Sequence, residues 1–411
     1  MNIFQDFPSQ QRLISKFGSP YKTNPLDVNT HFHTPYSFSA FESIHEIFVR
    51  AEKEQVDILG INDFITTFGY VEFNDLAHRY KKFPVFSIEF MGLMKDEQAK
   101  GIRINDPNNP GRIYFCGKGL AFPEQFGEYS RALLQQVFDE SHKQTMAMTR
   151  KLNEHLQKID APFQLEFIEI REKFSKGMVR ERHLAKALRK NIEEHFGETQ
   201  NINNFLEKLC GGRKLEYAEG RPAKLDNELR SILLKKGGVA FIEEDEKAFL
   251  TLPQIQKIIL DARGIPCYPV LLDDPEGNYT DFEADPERLF IELAKRKIYA
   301  IELIPGRNDI NHLKRFVEFF NEKGFIITMG TEHNTPEMIP MKLRTRNNEP
   351  LDHGLKATVY YGACIIAAHQ FLTAKGQEGY LTKEGFPRIE KQDEFINLGN
   401  AVIRTFTNKQ D

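Results

Sequence analysis

Short apolar runs alternate with amphipathic segments along much of the chain. Residues 56–61, 84–88 and 324–329 are almost continuously apolar, which is typical of parallel strands that are buried on both faces. Residues 43–54 instead carry apolar side chains at helical spacing, behind a Ser43–Glu46 capping box. This alternation predicts an α/β fold with a parallel sheet and crossover helices.

Many of the predicted strands end in a cluster of polar side chains. The clearest begins at the end of the first strand, where His31 and His33 flank Phe32. Successive side chains of a strand point to opposite faces, so the two imidazoles share one side. Two imidazoles on one side of a strand end can share a metal ion. Because ligands of parallel α/β folds bind at the carboxyl ends of the strands, we expect the functional site there.

The middle of the chain differs from the rest. Residues 123–260 are predicted to be mainly helical and strongly charged. We interpret them as an insertion over one end of the sheet, which either shapes a substrate pocket or is a plain structural subdomain. The barrel would then comprise residues 1–122 and 261–340, and residues 341–411 would form a C-terminal helical extension.

Composition narrows the class of protein. The 411 residues are 40% hydrophobic and carry a formal net charge of -4, so no electrostatic footprint points to nucleic acid or to an anionic membrane. No apolar run approaches the roughly 18 residues of a membrane span, and the first residues do not resemble a secretory signal. The cysteines are scattered without a C-x-x-C pair, which predicts reduced thiols and a cytoplasmic protein.

Several motifs in order resemble those of a known family. Residues 30–37 are similar to its H-x-H-T-x-Y-S element, and residues 59–64 and 84–89 to its T-D-H and P-x-x-G-x-E elements. Residues 182–188 and 330–334 are similar to its R-x-H-[IL]-A-x-A-L and G-S-D-A-H elements. The chain thus resembles the polymerase and histidinol phosphatase (PHP) superfamily of metal-dependent phosphoesterases. This resemblance implies a distorted (β/α)7 barrel, up to three metal ions and hydrolysis of phosphate esters.

Only one of the family's three metal sites keeps its ligand types. The ligands of that site would be His31, His33, Glu89 and Glu332. The second site has tyrosines, Tyr114 and Tyr268, where the family has histidines. The third site has lost its ligands at Phe38 or Ser39, Phe64 and Asn334. The resemblance therefore implies one divalent ion, which two imidazoles and two carboxylates suit as Zn²⁺, Mn²⁺ or Fe²⁺.

Other residues near the predicted strand ends receive catalytic or binding roles. Asp63 and Glu302 are candidate general bases, and for Asp63 a structural hydrogen-bonding role is equally open. His333 either reaches the metal through a one-residue shift of its loop or has a supporting or substrate-facing role. The candidate substrate-binding residues are the cations, which suit phosphate oxygens, and the two tyrosines: Lys118, Arg182, Arg263, Arg307, Tyr114 and Tyr268.

These features favour a metal-dependent hydrolase, a phosphoesterase acting on a small anionic metabolite through one metal ion. Two alternatives stay open: a non-catalytic protein that binds a metal or metabolite, and a hydrolase or lyase of sugar acids. We expect a small anionic substrate, no nucleic acid and no membrane as partners. The sequence leaves the oligomeric state open.

Overall fold

Seven strands form one sheet in the computed structural model, which describes residues 3–17, 19–215, 217, 220, 222–335, 337–382 and 384–409. The strands are β1 (Val28–Phe32), β2 (Ile58–Phe64), β3 (Phe83–Leu93), β4 (Arg112–Lys118), β5 (Ile265–Val270), β6 (Ala300–Leu303) and β7 (Ile326–Met329). Every residue of β1, β2 and β3 is buried, as the apolar runs of β2 and β3 predict.

The sheet is ordered β1 to β7 as in the sequence, and it nearly closes into a barrel. A parallel bridge joins Phe32 to Glu332 just beyond β7, with a 3.0 Å hydrogen bond from His33 N to the Glu332 carbonyl. This confirms the predicted α/β class with a distorted (β/α)7 barrel. One strand departs from the parallel prediction, because β4 runs antiparallel to both neighbours. The carboxyl ends of the other strands meet at one end of the barrel.

Fourteen α-helices surround the sheet in the described part of the chain. They are α1 (Gln10–Lys16), α2 (Ile44–Glu54), α3 (Tyr70–Tyr80), α4 (Lys95–Ala99), α5 (Glu128–Lys158), α6 (Phe167–Phe174), α7 (Glu181–Phe196), α8 (Thr199–Leu209), α9 (Pro222–Leu229), α10 (Leu252–Asp261), α11 (Pro286–Lys295), α12 (Ile310–Glu322), α13 (His353–Ala374) and α14 (Gln392–Thr407). No helix among the described residues is long and apolar enough to cross a membrane.

Helices α5 to α9 have a hydrophobic core of their own. Leu152 of α5, Leu188 of α7 and Leu206 of α8 are buried together in a cluster that is separate from the core of the barrel. The amphipathic spacing of their apolar residues explains this packing. Side chains from this helical segment reach the carboxyl end of the barrel and line a large cavity there.

Helix α13 covers the opposite, amino-terminal end of the barrel. A Cβ on Gly362 would lie 2.0 Å from the carbonyl oxygen of Ile327 in β7, so only glycine permits this approach. Gln370 accepts a 3.1 Å hydrogen bond from Phe86 N and donates one of 3.1 Å to the Pro84 carbonyl at the start of β3. The amino-terminal end is therefore sealed by packed helix, and the cavity opens at the other end.

Candidate metal centre

The two histidines at the end of β1 point to one place, as their alternation predicts. His31 and His33 are 1% and 0% exposed. Their Nε2 atoms lie 3.3 Å apart. Glu89, near the middle of β3, brings its carboxylate to the same point, with Oε2 3.3 Å from His33 Nε2 and Oε1 4.0 Å from His31 Nε2. Potential ligand atoms of these three residues all lie within 4.8 Å of one another.

The spacing of these atoms fits a metal ion. A tetrahedral ion with bonds of about 2.0–2.1 Å holds its ligand atoms about 3.3 Å apart. The distance between the two Nε2 atoms and the distance from His33 Nε2 to Glu89 Oε2 both match this ligand-to-ligand separation. Burial lowers the pKa of His33, but the hydrogen bond and charge of Glu89 outweigh it and raise the pKa overall. The group thus concentrates negative potential where a cation would lie.

The far side of each imidazole is held by a hydrogen bond. His31 Nδ1 donates to Glu302 Oε2 at 2.8 Å. His33 Nδ1 lies 3.2 Å from Ser37 Oγ, which itself donates to Asp63 at 2.7 Å. These bonds place the proton of each neutral ring on Nδ1 and leave the Nε2 lone pair for a ligand role.

Asn62 of β2 completes the polar lining behind His31. Its amide nitrogen lies 2.9 Å from His31 Nε2. Its Oδ1 is buried and has no hydrogen-bond partner among the residues that the structure describes. Buried polar atoms are nearly always bonded in folded proteins, so this orphaned oxygen is a further sign that the region accommodates a polar group.

Glu302 has a different position from the one expected of a general base. It is 0% exposed in β6, and Lys118 Nζ lies 2.6 Å from its Oε1. Burial alone raises the pKa of Glu302, but Lys118 and His31 outweigh it and hold the pKa at about 2. The structure corrects the prediction here: this carboxylate orients His31 and has no access to a substrate.

Lys118 is committed to the same buried pair. Its side chain is 0% exposed and also donates to the Thr30 carbonyl at 3.2 Å. It therefore offers no free charge to a phosphate, which corrects its predicted role. A second potential ligand group of His31, Cys116 and Glu302 lies beside it, and the ammonium of Lys118 already supplies the positive charge there.

Asp63 has the structural role that the sequence left open. Its carboxylate accepts hydrogen bonds from Thr34 N at 2.6 Å and Thr34 Oγ1 at 2.5 Å, as well as from Ser37. Burial raises its pKa despite these bonds. Asp63 thus fixes the loop that follows His33 and is not positioned as a base.

Glu332, the fourth predicted ligand, faces the cavity but is not part of the group of three. Its carboxylate is bonded to Arg307 and accepts a 2.6 Å hydrogen bond from Asn334 Nδ2. Burial raises its pKa, but the charges of Arg307, His31 and His33 lower it overall. Glu332 and His333 both have left-handed backbones, with φ values of 63° and 47°, a strained turn that presents Glu332 to the cavity.

The side chain of His333 points away from the group formed by His31, His33 and Glu89. Its Nε2 donates to the Ile339 carbonyl at 3.0 Å, and its Nδ1 accepts from Thr331 Oγ1 at 2.6 Å. Its ring stacks on Phe41 with a centroid distance of 4.9 Å. Burial lowers its pKa to about 4. Both ring nitrogens therefore hold the loop after β7 in this geometry, which favours a supporting role for His333 over the predicted catalytic one.

The remaining predicted cations divide between the two ends of the barrel. Arg182 and Arg307 line the cavity at the metal end. Arg182 Nη1 donates to the Asn334 carbonyl at 2.8 Å, and its guanidinium lies over the Phe38 ring. Arg263 precedes β5, and its carbonyl accepts a hydrogen bond from His369 of α13. It lies at the amino-terminal end, so its predicted substrate role is corrected.

The predicted tyrosines also separate. Tyr114 is half-buried in β4 and lines the cavity, where burial raises its pKa. Tyr268 is fully buried and donates to Glu283 Oε1 at 2.8 Å, so its hydroxyl is not free for a substrate. Phe38 stacks on His33 with centroids 4.6 Å apart.

The cavity has a volume of about 850 Å³. Its walls include cations that sequence reasoning missed, since they lie on β4 and on the helical segment far from the strand-end motifs. Arg180 is paired with Glu244 at 3.3 Å, and Arg112 with the same carboxylate at 3.0 Å. Arg182 forms no ion pair among the described residues. Burial lowers its pKa to about 10, a sign of charge that is not fully compensated.

Comparison with known proteins shows a shared fold. No protein-family model and no curated protein matches the chain. One similar solved structure is a protein described as a metal-dependent phosphoesterase from Bifidobacterium adolescentis, with 13% identity, a TM-score of 0.50, and coverage of 79% of this chain and 95% of that one. Another is an amidohydrolase from Chromobacterium violaceum, solved with bound sulfate and no metal, with 14% identity, a TM-score of 0.49, and coverage of 81% and 96%. At such identity the likeness establishes the architecture, and function rests on the site.

Proposed function

We propose that this chain is a metal-dependent hydrolase, a phosphoesterase that acts on a small anionic molecule through one divalent ion. The observation that carries the proposal is the convergence of two Nε2 atoms 3.3 Å apart beside Glu89, with both Nδ1 atoms bonded elsewhere. His31, His33 and Glu89 would hold the ion. Three protein ligands with one open position are typical of catalytic zinc sites.

The residues around the ion would divide the remaining tasks. A divalent ion, when bound, supplies Lewis-acid polarisation of a phosphoryl oxygen and acidifies water. Arg182, which has no carboxylate partner in the described structure and lines both this cavity and the space beside it, would bind an anionic part of the substrate. Phe38 and Phe64, whose ring centroids lie 6.0 Å apart, would shield one side of the site from water. Arg307 would contribute when it leaves Glu332.

The test combines metal analysis with a phosphatase screen. Purified protein should bind close to one equivalent of Zn²⁺ or Mn²⁺ and hydrolyse a phosphate monoester only when loaded. His31→Ala and Glu89→Ala should lose both properties. His45→Ala is the matched control, since His45 is exposed on α2 and bonds only to Tyr80. A wild-type protein that binds the ion but hydrolyses nothing across the screen contradicts the enzymatic proposal.

A non-catalytic binding protein is the second candidate. It is favoured by the fact that both predicted bases, Asp63 and Glu302, are buried and bonded to other residues. Stoichiometric metal binding together with inert wild-type protein would support this candidate over the first.

A further inference from the structure

A second chamber lies beside the metal cavity, between the loop after β1 and the helical segment. Its volume is about 370 Å³. Phe38, Arg182, Arg230 and Asn334 line both spaces. Since these four side chains belong to both walls, the two chambers adjoin.

The start of α7 presents three nitrogen-bearing side chains to this chamber. Arg182, His183 and Lys186 all line it, and the first and third lie one turn apart on the same helix face. Neither Arg182 nor Lys186 forms an ion pair with any described carboxylate. Positive charge at this wall is therefore available to a ligand.

His183 supplies a directed donor. It is 6% exposed. Its Nδ1 accepts a 2.9 Å hydrogen bond from Arg180 N, so the proton of the neutral ring is on Nε2. That nitrogen has no hydrogen-bond partner among the described residues. The side chain lines the chamber, so this N–H can donate to an acceptor that binds there.

The acidic residues of the chamber do not cancel this charge. The carboxylate of Asp226 is held by Arg189 through contacts of 2.6 and 3.2 Å. Glu42 and Glu172 are exposed at the rim. Among the cations of the lining, Lys173, Lys176 and Arg230 are paired with carboxylates outside it. The positive charge that is left for a ligand is therefore that of Arg182 and Lys186, beside His183.

We propose that this second chamber is an anion subsite, and that it holds a second anionic group of the substrate whose first anionic group lies at the metal centre. Its ligand would accept hydrogen bonds from His183 Nε2, Arg182 and Lys186, as a phosphate or carboxylate does. The substrate class is then a phosphate monoester that carries a second anionic group. This last step rests on the proposed function, whereas the subsite itself does not.

Calorimetric titration of metal-free protein with inorganic phosphate, in the presence of a chelator, tests the subsite. Wild-type protein should show one saturable site. Lys186→Gln should weaken it about tenfold or more, as expected for loss of a charged hydrogen bond, and Lys186→Arg should restore most of the affinity. Lys190→Gln is the matched control, because Lys190 lies one turn further along α7, is exposed and does not line the chamber.

Arg307→Gln locates the anion, because Arg307 lines the metal cavity alone. Phosphate affinity that is lost in this variant and kept in Lys186→Gln would place the anion at the metal end and overturn the proposal. Absence of saturable phosphate binding by the wild type would overturn it equally. Neither result depends on catalysis.

The second arm distinguishes a substrate group from a free anion. Phenyl phosphate and 4-carboxyphenyl phosphate differ by one anionic group. With loaded enzyme, Lys186→Gln should raise the KM of the carboxylated ester several-fold more than that of phenyl phosphate. Equal changes would reject the substrate role of the subsite. If neither ester nor any other monoester is hydrolysed, the proposed function fails, while the calorimetric result still decides whether the anion subsite exists.

Discussion

The end of β1 and the loop after β7 both place histidines near the same cavity, yet they use them differently. At the end of β1, Nδ1 of His31 and of His33 is bonded to a supporting side chain, and both Nε2 atoms face Glu89. In the loop after β7, both nitrogens of His333 are bonded to the loop itself. The comparison teaches that the role of a buried histidine depends on whether its second nitrogen faces other potential ligands or holds its own loop.

The largest effect on metal affinity is expected for His33→Ala. The variant removes one Nε2 from the group of three, so metal affinity should fall by more than about 100-fold, beyond the loss expected from a supporting residue. Titration with Co²⁺, followed by its visible absorption, measures the affinity. Retention of tight binding by this variant would show that the ion lies elsewhere.

Glu302→Gln tests the bond behind His31. Gln can still accept from His31 Nδ1 but loses the charge, so metal affinity should fall about 10–100-fold. Lys118 is then left buried without its partner, which should lower the free energy of unfolding by about 3–5 kcal/mol. The double variant Lys118→Met with Glu302→Gln separates the two effects. In the double variant the free energy of unfolding, measured with denaturant, should return toward the wild-type value while the metal affinity stays low. If the metal affinity also returned, the orienting role of Glu302 would be rejected.

His333→Phe gives the opposite pattern. It keeps the aromatic contact with Phe41 but leaves the Ile339 carbonyl and the Thr331 hydroxyl without their partner, so the free energy of unfolding should fall by about 1–3 kcal/mol. Metal affinity should stay within about twofold of wild type. Thermal unfolding measures the stability, and Co²⁺ titration measures the metal affinity. A large loss of metal affinity would show that His333 contributes to the metal site.

The smallest effect concerns pH. His369 of α13, like His333, has both nitrogens bonded, with Nε2 donating to Arg263 and Nδ1 accepting from Tyr380. Burial lowers its pKa from 6.5 to about 4. Between pH 6.5 and about pH 4, the unfolded chain therefore binds a proton at His369 that the native chain does not bind. The stability that neutral His369 contributes is complete above pH 6.5 and is lost as the pH falls toward 4.

In His369→Gln, the slope of unfolding free energy against pH in this window should decrease by up to about 1.4 kcal/mol per pH unit. Urea unfolding at a series of pH values between these limits measures the slope. His183 and His333 also have pKa values lowered to about 4, so part of the slope should remain. An unchanged slope would mean that His369 is protonated in the native state.

Sequence patterns predicted the class of fold and the shared side of His31 and His33 for local reasons. The alternation within residues 31–33 follows from strand geometry alone, and the apolar runs mark buried strands directly. The pairing of Glu302 with Lys118 and His31 joins β6, β4 and β1, and nothing in one sequence gives that alignment. The same limit applies to Arg263. The pattern of one sequence does not show at which end of the barrel a cation near a strand lies, so Arg263 was a candidate for substrate binding although it lies at the amino-terminal end.

The aromatic ring of Phe38 has a consequence for the site. It stacks on His33 and also lies beneath the guanidinium of Arg182, which donates to the Asn334 carbonyl. A histidine fixed by a ring on one side cannot rotate freely, so the group of His31, His33 and Glu89 is pre-organised. An ion bound there as proposed would find its ligands already in place, with little side-chain freedom left to lose.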